Sequence, residues 1–249
     1  MLPRRPQENI IGCMTDQIAV NIDWTWVRGQ VLAKEHIPTG GKSDTKISLT
    51  DAVDDCLRIA THLAKPRMAT AKKEILDTDE KTVRLEGPLS LSGPSLSSHV
   101  RGSSHACLFL VTIGSDLEET ATMLMESGEQ LHGYLLDRVG SFAVESLAEA
   151  MEGELRRIHG SRDMSVSTRF SPGYCDWPIE EQLKLEKAIE FSRAGVRLTE
   201  SCMMIPRKSI SGLVGIGPKG LFSASKSQCD ICNRKACDYK RVTAGDSGS

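Results

Sequence analysis

Apolar positions at helical spacing run through Ala52, Cys56, Ile59, Ala60 and Leu63, with Ser48 or Thr50 able to cap the start and Pro66 closing the run. The spacing predicts a helix there, and a second short helix follows through Lys73. Thr82-Val83-Arg84-Leu85 alternates as a strand does and stops at Gly87-Pro88. The segment from Ser90 to Ser104, rich in Ser and Gly around Pro94, reads as a loop or a mobile lid. Ala106 to Ile113 is an unbroken apolar run of strand length bounded by Gly114, and so a buried central strand.

Ser115-Asp116-Leu117-Glu118 has the spacing of a capping box and opens a long helical stretch with a break or bend near Gly128. In its second half Leu131, Leu135, Val139, Ala143, Leu147, Met151 and Leu155 recur at every fourth position and form one apolar stripe. Glu145 lies nearly opposite the middle of that stripe, which by helix geometry alone makes it a solvated side chain. After the turn at 169–174, Asp176 is placed to cap a helix with Pro178 in its first turn, running to about Ala194. Ser209 to Gly217 reads as a strand carrying glycines. Its Gly212-x-x-Gly215-x-Gly217 has the reverse order of a dinucleotide fingerprint with no helix after it, which argues against a doubly wound methyltransferase fold.

Composition narrows the class. With 249 residues, 39% hydrophobic, 26% charged and a net charge of −2, the chain has the balance of a globular protein and offers no electrostatic case for nucleic acid or an anionic membrane. No apolar run approaches the roughly 20 residues of a membrane span, and the N-terminus lacks a signal-peptide core, so a cytoplasmic protein is expected. Cys13, Cys56 and Cys107 sit singly, as small buried hydrophobes do. Cys229, Cys232 and Cys237 form Cys-x-x-Cys-x-x-x-x-Cys, which in such a chain points to a metal or redox site. His99, His105, His132 and His159 are scattered and read as structural or surface residues.

The most specific chemistry lies in Arg169-Phe170-Ser171-Pro172-Gly173-Tyr174. An arginine fork matches a carboxylate in bidentate geometry, proline fixes the turn, and glycine lets a flat ligand approach main-chain groups with no Cβ in the way. Alone, these residues also describe an ordinary loop with a surface arginine. Three further segments alter that reading: Asn21-Ile22-Asp23-Trp24-Thr25, the helix from Asp137-Arg138 through Glu145 to Arg157, and Leu198-Thr199-Glu200-Ser201 followed by Met204, Pro206 and Ser209-Ile210-Ser211-Gly212. In this order they resemble the activation domain of cobalamin-dependent methionine synthase, whose S-adenosylmethionine signature reads Arg-Pro-Ala-Pro-Gly-Tyr.

The resemblance implies an α+β fold, a curved and mainly antiparallel sheet with packed helices and a cleft open to a corrinoid protein. It implies S-adenosylmethionine binding at Asp23, Glu145, Arg169, Ser171, Pro172, Gly173 and Tyr174, with Ser171 standing where the family has alanine. Arg169 would fork onto the ligand carboxylate, Asp23 and Glu145 would meet its ammonium or cationic end, and the Ser171 to Tyr174 backbone would read the adenine edge. A further family tyrosine falls near Leu221 or Phe222. The implied reaction is reductive methylation of a corrinoid: one electron returns Co(II) to Co(I), which takes the methyl group. Cobalt is the nucleophile and the thioether leaves without a proton, so no catalytic side chain is assigned.

The implied partners are a corrinoid-binding protein or the methionine synthase core, and a low-potential electron donor, flavodoxin or ferredoxin. The chain carries no recognisable Asp-x-His-x-x-Gly element, so it is expected to act on a separate corrinoid protein as a stand-alone reactivation factor. Three thiolates need one more ligand, and Cys175 or Cys202 could supply it. An iron–sulfur cluster is expected ahead of zinc, with free or disulfide-forming thiols as the third case. The organisation expected is an N-terminal segment at 1–20, the S-adenosylmethionine domain at 21–225 and a Cys-rich tail at 226–249. A non-catalytic corrinoid-protein chaperone and a small metal or redox protein remain the other two readings.

Overall fold

The computed structural model describes residues 20–38 and 48–222. In chain order they form α1 (Trp24–Lys34), α2 (Leu49–Leu63), β1 (Arg67–Thr78), β2 (Thr82–Leu85), β3 (Leu89–Ser92), α3 (Pro94–Val100), β4 (His105–Thr112), α4 (Asp116–Glu126), α5 (Gln130–Gly160), β5 (Met164–Val166), α6 (Gln182–Ile189), β6 (Arg197–Leu198), β7 (Met204–Ile205) and β8 (Ser209–Pro218). Six strands make one curled antiparallel sheet in the order β3-β2-β1-β4-β8-β5, and β6 with β7 forms a separate hairpin. This is the α+β architecture the sequence implies.

β4 explains why its run shows no alternation. It pairs from Arg67↔Thr112 to Glu74↔His105 with β1, and from His105↔Ile216 to Thr112↔Ser209 with β8. Cys107, Phe109 and Val111 enter a core made by α1, α2, α4 and α5, whereas Ala106, Leu108 and Leu110 enter a second core under α3 and α6. A strand covered on both faces needs apolar residues at every position.

Three segments differ from their sequence expectation. The helix expected through Lys73 is instead part of β1: a stretch of Ala, Lys and Glu residues has no strand preference of its own, and full-length pairing with β4 overrides it. The loop expected over 90–104 contains β3 and α3. The Ser-rich α3 is held by Pro94 in its first turn and by Asp176, whose carboxylate accepts from the Ser95 N–H at 2.9 Å and the Ser95 hydroxyl at 2.8 Å. Asp176 therefore caps α3 from 81 residues away rather than the helix that follows it. That helix is also shorter than expected: a 3-10 turn at Ile179–Glu181 precedes α6, and Glu190 ends α6 with φ +57.

Ser115 makes no capping hydrogen bond. Glu118 instead accepts from the Arg207 N–H at 2.9 Å and the Lys208 N–H at 3.3 Å, tying α4 to the entrance of β8. The expected break falls at Gly128, with φ +94, between α4 and α5. Gly133 lets the two helices close on each other, since a Cβ there would lie 2.7 Å from the Ala121 carbonyl oxygen. The stripe on α5 is buried from Leu135 to Leu155, but Leu131 is 43% exposed. Residues four apart advance by about 40° around a helix, so a stripe kept at every fourth position winds about the axis and its first member leaves the core.

Candidate functional site

The loop from Arg169 to Trp177 is fixed at both ends. At one end, Phe170 makes a one-residue bridge to β8, donating its N–H to the Leu213 carbonyl and accepting from the Leu213 N–H, both at 2.9 Å. The buried Phe170 ring stacks on His99 at 5.2 Å and on Trp177 at 5.8 Å. At the other end, Gly173 donates to the Trp177 carbonyl at 2.8 Å and Trp177 donates to the Tyr174 carbonyl at 3.0 Å. Gly173 has φ +87, a conformation that favours glycine. With the Tyr174 N–H donating to the Ser171 carbonyl at 3.3 Å, three loop N–H groups, those of Gly173, Tyr174 and Trp177, are used within the loop itself.

Gly212 lets this loop lie against β8. A Cβ at 212 would collide with the Phe170 carbonyl oxygen and sit 3.0 Å from Ser171 Oγ. Only a residue without a side chain leaves room for the Phe170 bridge next to it.

Arg169 is buried, with its side chain 8% exposed, and two carboxylates of α5 hold it. Glu145 Oε2 accepts from Nη2, and Glu152 Oε2 lies 3.5 Å from Nη1 and 3.4 Å from the Arg169 main-chain N–H. Glu152 also pairs with Arg156 one turn later. Two glutamates and two arginines therefore alternate in sign, which is how charges become tolerable away from water.

Arg169 and Glu145 open into a pocket of about 320 Å³. Ser171, Pro172 and Tyr174 of the loop, Gln182 of α6, the β6–β7 hairpin with Met203 and Met204, and Ser209 to Ser211 of β8 form its walls. That volume lies within the range of small-molecule sites, about 300–1,000 Å³. The Ser211 hydroxyl lines the pocket, is buried and has no hydrogen-bond partner among the described residues. A buried polar atom is rarely left unsatisfied. Together the walls offer a buried cation in Arg169, a more exposed one in Arg207, an anion, a spare hydroxyl and thioether and ring surfaces, a set that matches an amino-acid head joined to a nucleoside.

Most of the residues chosen from sequence converge here. Glu145, Arg169, Ser171, Pro172 and Tyr174 line the pocket and Gly173 belongs to the same turn. Asp23 sits beside the site: it caps α1 through the Trp26 N–H, and its own N–H donates to Ser146 Oγ at 2.9 Å, next to Glu145 on α5. Leu221 and Phe222 pack near Gly217 and Gly215, beyond the pocket-lining part of β8. Glu152, Trp177, His99 and Gly212 were not singled out as site residues. The visible signal for Glu152 was its spacing of seven from Glu145, two turns along one helical face.

Cys175 is exposed at φ +52 and lines a neighbouring pocket of about 400 Å³ with Pro94, Ser98 and His99, whereas Cys202 is buried in the Arg169 pocket. Cys229, Cys232 and Cys237 lie outside the described residues. Among the described residues, no group of three or more His, Cys, Asp or Glu side chains is placed to hold a metal ion, and no helix is long and apolar enough to cross a membrane.

His99 is structural. Its Nε2 lies 2.7 Å from the Thr168 carbonyl, and burial pushes its pKa below the ordinary 6.5 against the opposing pull of that carbonyl and of Glu152. Burial lowers His105 and His159 in the same direction. For each, the unfolded chain takes up its proton at higher pH than the folded one, so stability is lost as pH falls below about 6.5. The urea midpoint is expected to drop steadily from pH 7 to pH 5 at constant slope. A flat midpoint over that range would count against this assignment.

A family model described as "Vitamin B12 dependent methionine synthase, activation domain" matches residues 95–237. That span holds α3 to β8, including the Arg169 loop, and extends over Cys229, Cys232 and Cys237. Among solved structures, "Crystal Structure of the MetH Reactivation Domain bound to AdoHcy" is similar at a TM-score of 0.58 and 17% identity, covering 83% of this chain and 76% of that one. At that identity the likeness is one of fold, and it agrees with the curled antiparallel sheet and its helices. The family match spans more than half of the 249 residues, and the chain belongs to the activation-domain family of vitamin B12 dependent methionine synthase.

Proposed function

We propose that the Arg169 pocket binds S-adenosylmethionine and presents its methyl group to the cobalt of a corrinoid held by a corrinoid-binding protein supplied in trans, so that the chain works as a corrinoid methyltransferase in reductive reactivation. The observation that carries this reading is the Arg169–Glu145 pair at the pocket wall. An amino-acid head offers a carboxylate to Arg169 and an ammonium to Glu145, so both protein charges keep a partner when it binds. The unpartnered Ser211 hydroxyl and the Tyr174 and Met203 surfaces suit the nucleoside end.

S-adenosylmethionine supplies an activated methyl group on a sulfonium. The residues of this chain have three tasks: to hold the head group, to orient the sulfonium toward the open side, and to keep the donor away from water. No proton moves, so positioning is the whole contribution of the side chains. The electron comes from a low-potential donor such as flavodoxin or ferredoxin. The spacing of Cys229, Cys232 and Cys237 supports a thiolate metal centre as a separate proposal. Protein purified without oxygen is expected to contain iron and sulfide; zinc would replace the cluster by a structural staple, and metal-free protein would end the proposal.

Calorimetric titration tests the binding step. S-adenosylmethionine is expected to bind one per chain, and methylthioadenosine, which lacks the amino-acid head, more weakly. Absence of binding would leave a metal or redox protein, and binding without methyl transfer would leave a corrinoid-protein chaperone.

A further inference from the structure

We infer that Glu152 is the positioning residue of this site: it aims the Arg169 guanidinium at the carboxylate of the bound amino-acid head from behind, without touching the ligand. The inference rests on the methyl-donor reading above. Glu145 and Glu152 stand seven residues apart on α5 and meet one guanidinium at different nitrogens, Nη2 and Nη1. Their surroundings differ. The Glu145 side chain is 34% exposed and lines the pocket, whereas that of Glu152 is 8% exposed and is not part of the lining.

Glu152 also grips Arg169 twice, since Oε2 reaches both the main-chain N–H at 3.4 Å and Nη1 at 3.5 Å. Its other oxygen, Oε1, is taken by Arg156. The contact therefore fixes the place where the loop leaves β5 as well as the plane of the guanidinium. A planar fork recognises a carboxylate only when its plane is set, so a buried anchor behind it makes the contact bidentate. Glu145 cannot serve as that anchor if it turns to the ammonium of the same head group. The sheet side of the loop is held separately by Phe170, so loss of the anchor frees the guanidinium without releasing the loop.

The test compares two ligands in three proteins by calorimetry: S-adenosylhomocysteine, which has the carboxylate, and methylthioadenosine, which does not. In Glu152→Gln, S-adenosylhomocysteine is expected to bind on the order of tenfold more weakly, with methylthioadenosine unchanged within about twofold. Glu152→Asp keeps the charge but withdraws it by one methylene, and is expected to fall between wild type and Glu152→Gln; it provides the same comparison should Glu152→Gln fail to fold. Equal weakening of both ligands would make Glu152 a merely structural residue and overturn the inference, as would unchanged binding of both. Wild-type protein that binds neither ligand would overturn the methyl-donor reading and this inference with it.

Discussion

Arg169→Ala is expected to weaken S-adenosylmethionine binding by about 2–4 kcal/mol, on the order of 30- to 1,000-fold. The guanidinium is the pocket's buried cation, and without it the ligand carboxylate meets Glu145 with only the half-exposed Arg207 left as a cation in the lining. The same change removes one of the two cationic partners of Glu152 and leaves it Arg156 alone, so folding stability should fall as well, by about 1–3 kcal/mol. Arg169→Lys should recover only part of the affinity, because a point charge cannot span Glu145 and Glu152 while also meeting a carboxylate in the fork geometry. Calorimetry of the two variants beside wild type decides the matter. Equal affinity in all three would place the ligand elsewhere.

Gly212→Val should do comparable damage from a residue with no side chain. A Cβ at that position meets backbone, the Phe170 carbonyl, which cannot rotate away as a flexible side chain would. The variant must break the Phe170–Leu213 bridge or push the whole loop outward. We expect a loss of about 1–3 kcal/mol in stability, as for overpacking, together with at least a tenfold loss of S-adenosylmethionine affinity. Gly153→Ala is the control: it lies within α5 with open space where the Cβ would go, and it should stabilise the protein by about 0.5–1 kcal/mol. Chemical denaturation of both variants tests the contrast. A Gly212→Val protein as stable as wild type would mean that the loop does not depend on close approach to β8.

The parts of the fold legible in the sequence were those set by local pattern. The run at β4 and the stripe on α5 each report burial directly, and the glycine at 128 marks the turn between α4 and α5. What was hidden depended on partners far along the chain. β1 is a strand because β4 lies beside it, and α3 begins where it does because Asp176 reaches back to Ser95. The site followed the same division. Arg169 to Tyr174 announces itself in six consecutive residues, but Glu152 looked like one more charge on a long helix. It is buried beside Met151 and Leu155, where the Arg169 main chain and guanidinium lie against it. His99 and Trp177 hold the loop through a stack on Phe170 that no spacing rule foretells.

The most direct measurement is methyl transfer itself. Under anaerobic conditions, this chain is mixed with a corrinoid-binding protein carrying Co(II) corrinoid, a low-potential reductant and S-adenosylmethionine labelled in its methyl group. The label is expected to appear on the corrinoid in step with the change in its visible spectrum, and to stay in solution when Arg169→Ala replaces the wild-type chain. Label that remains on S-adenosylmethionine in the presence of wild-type protein, with reductant and corrinoid protein both competent, would contradict the account.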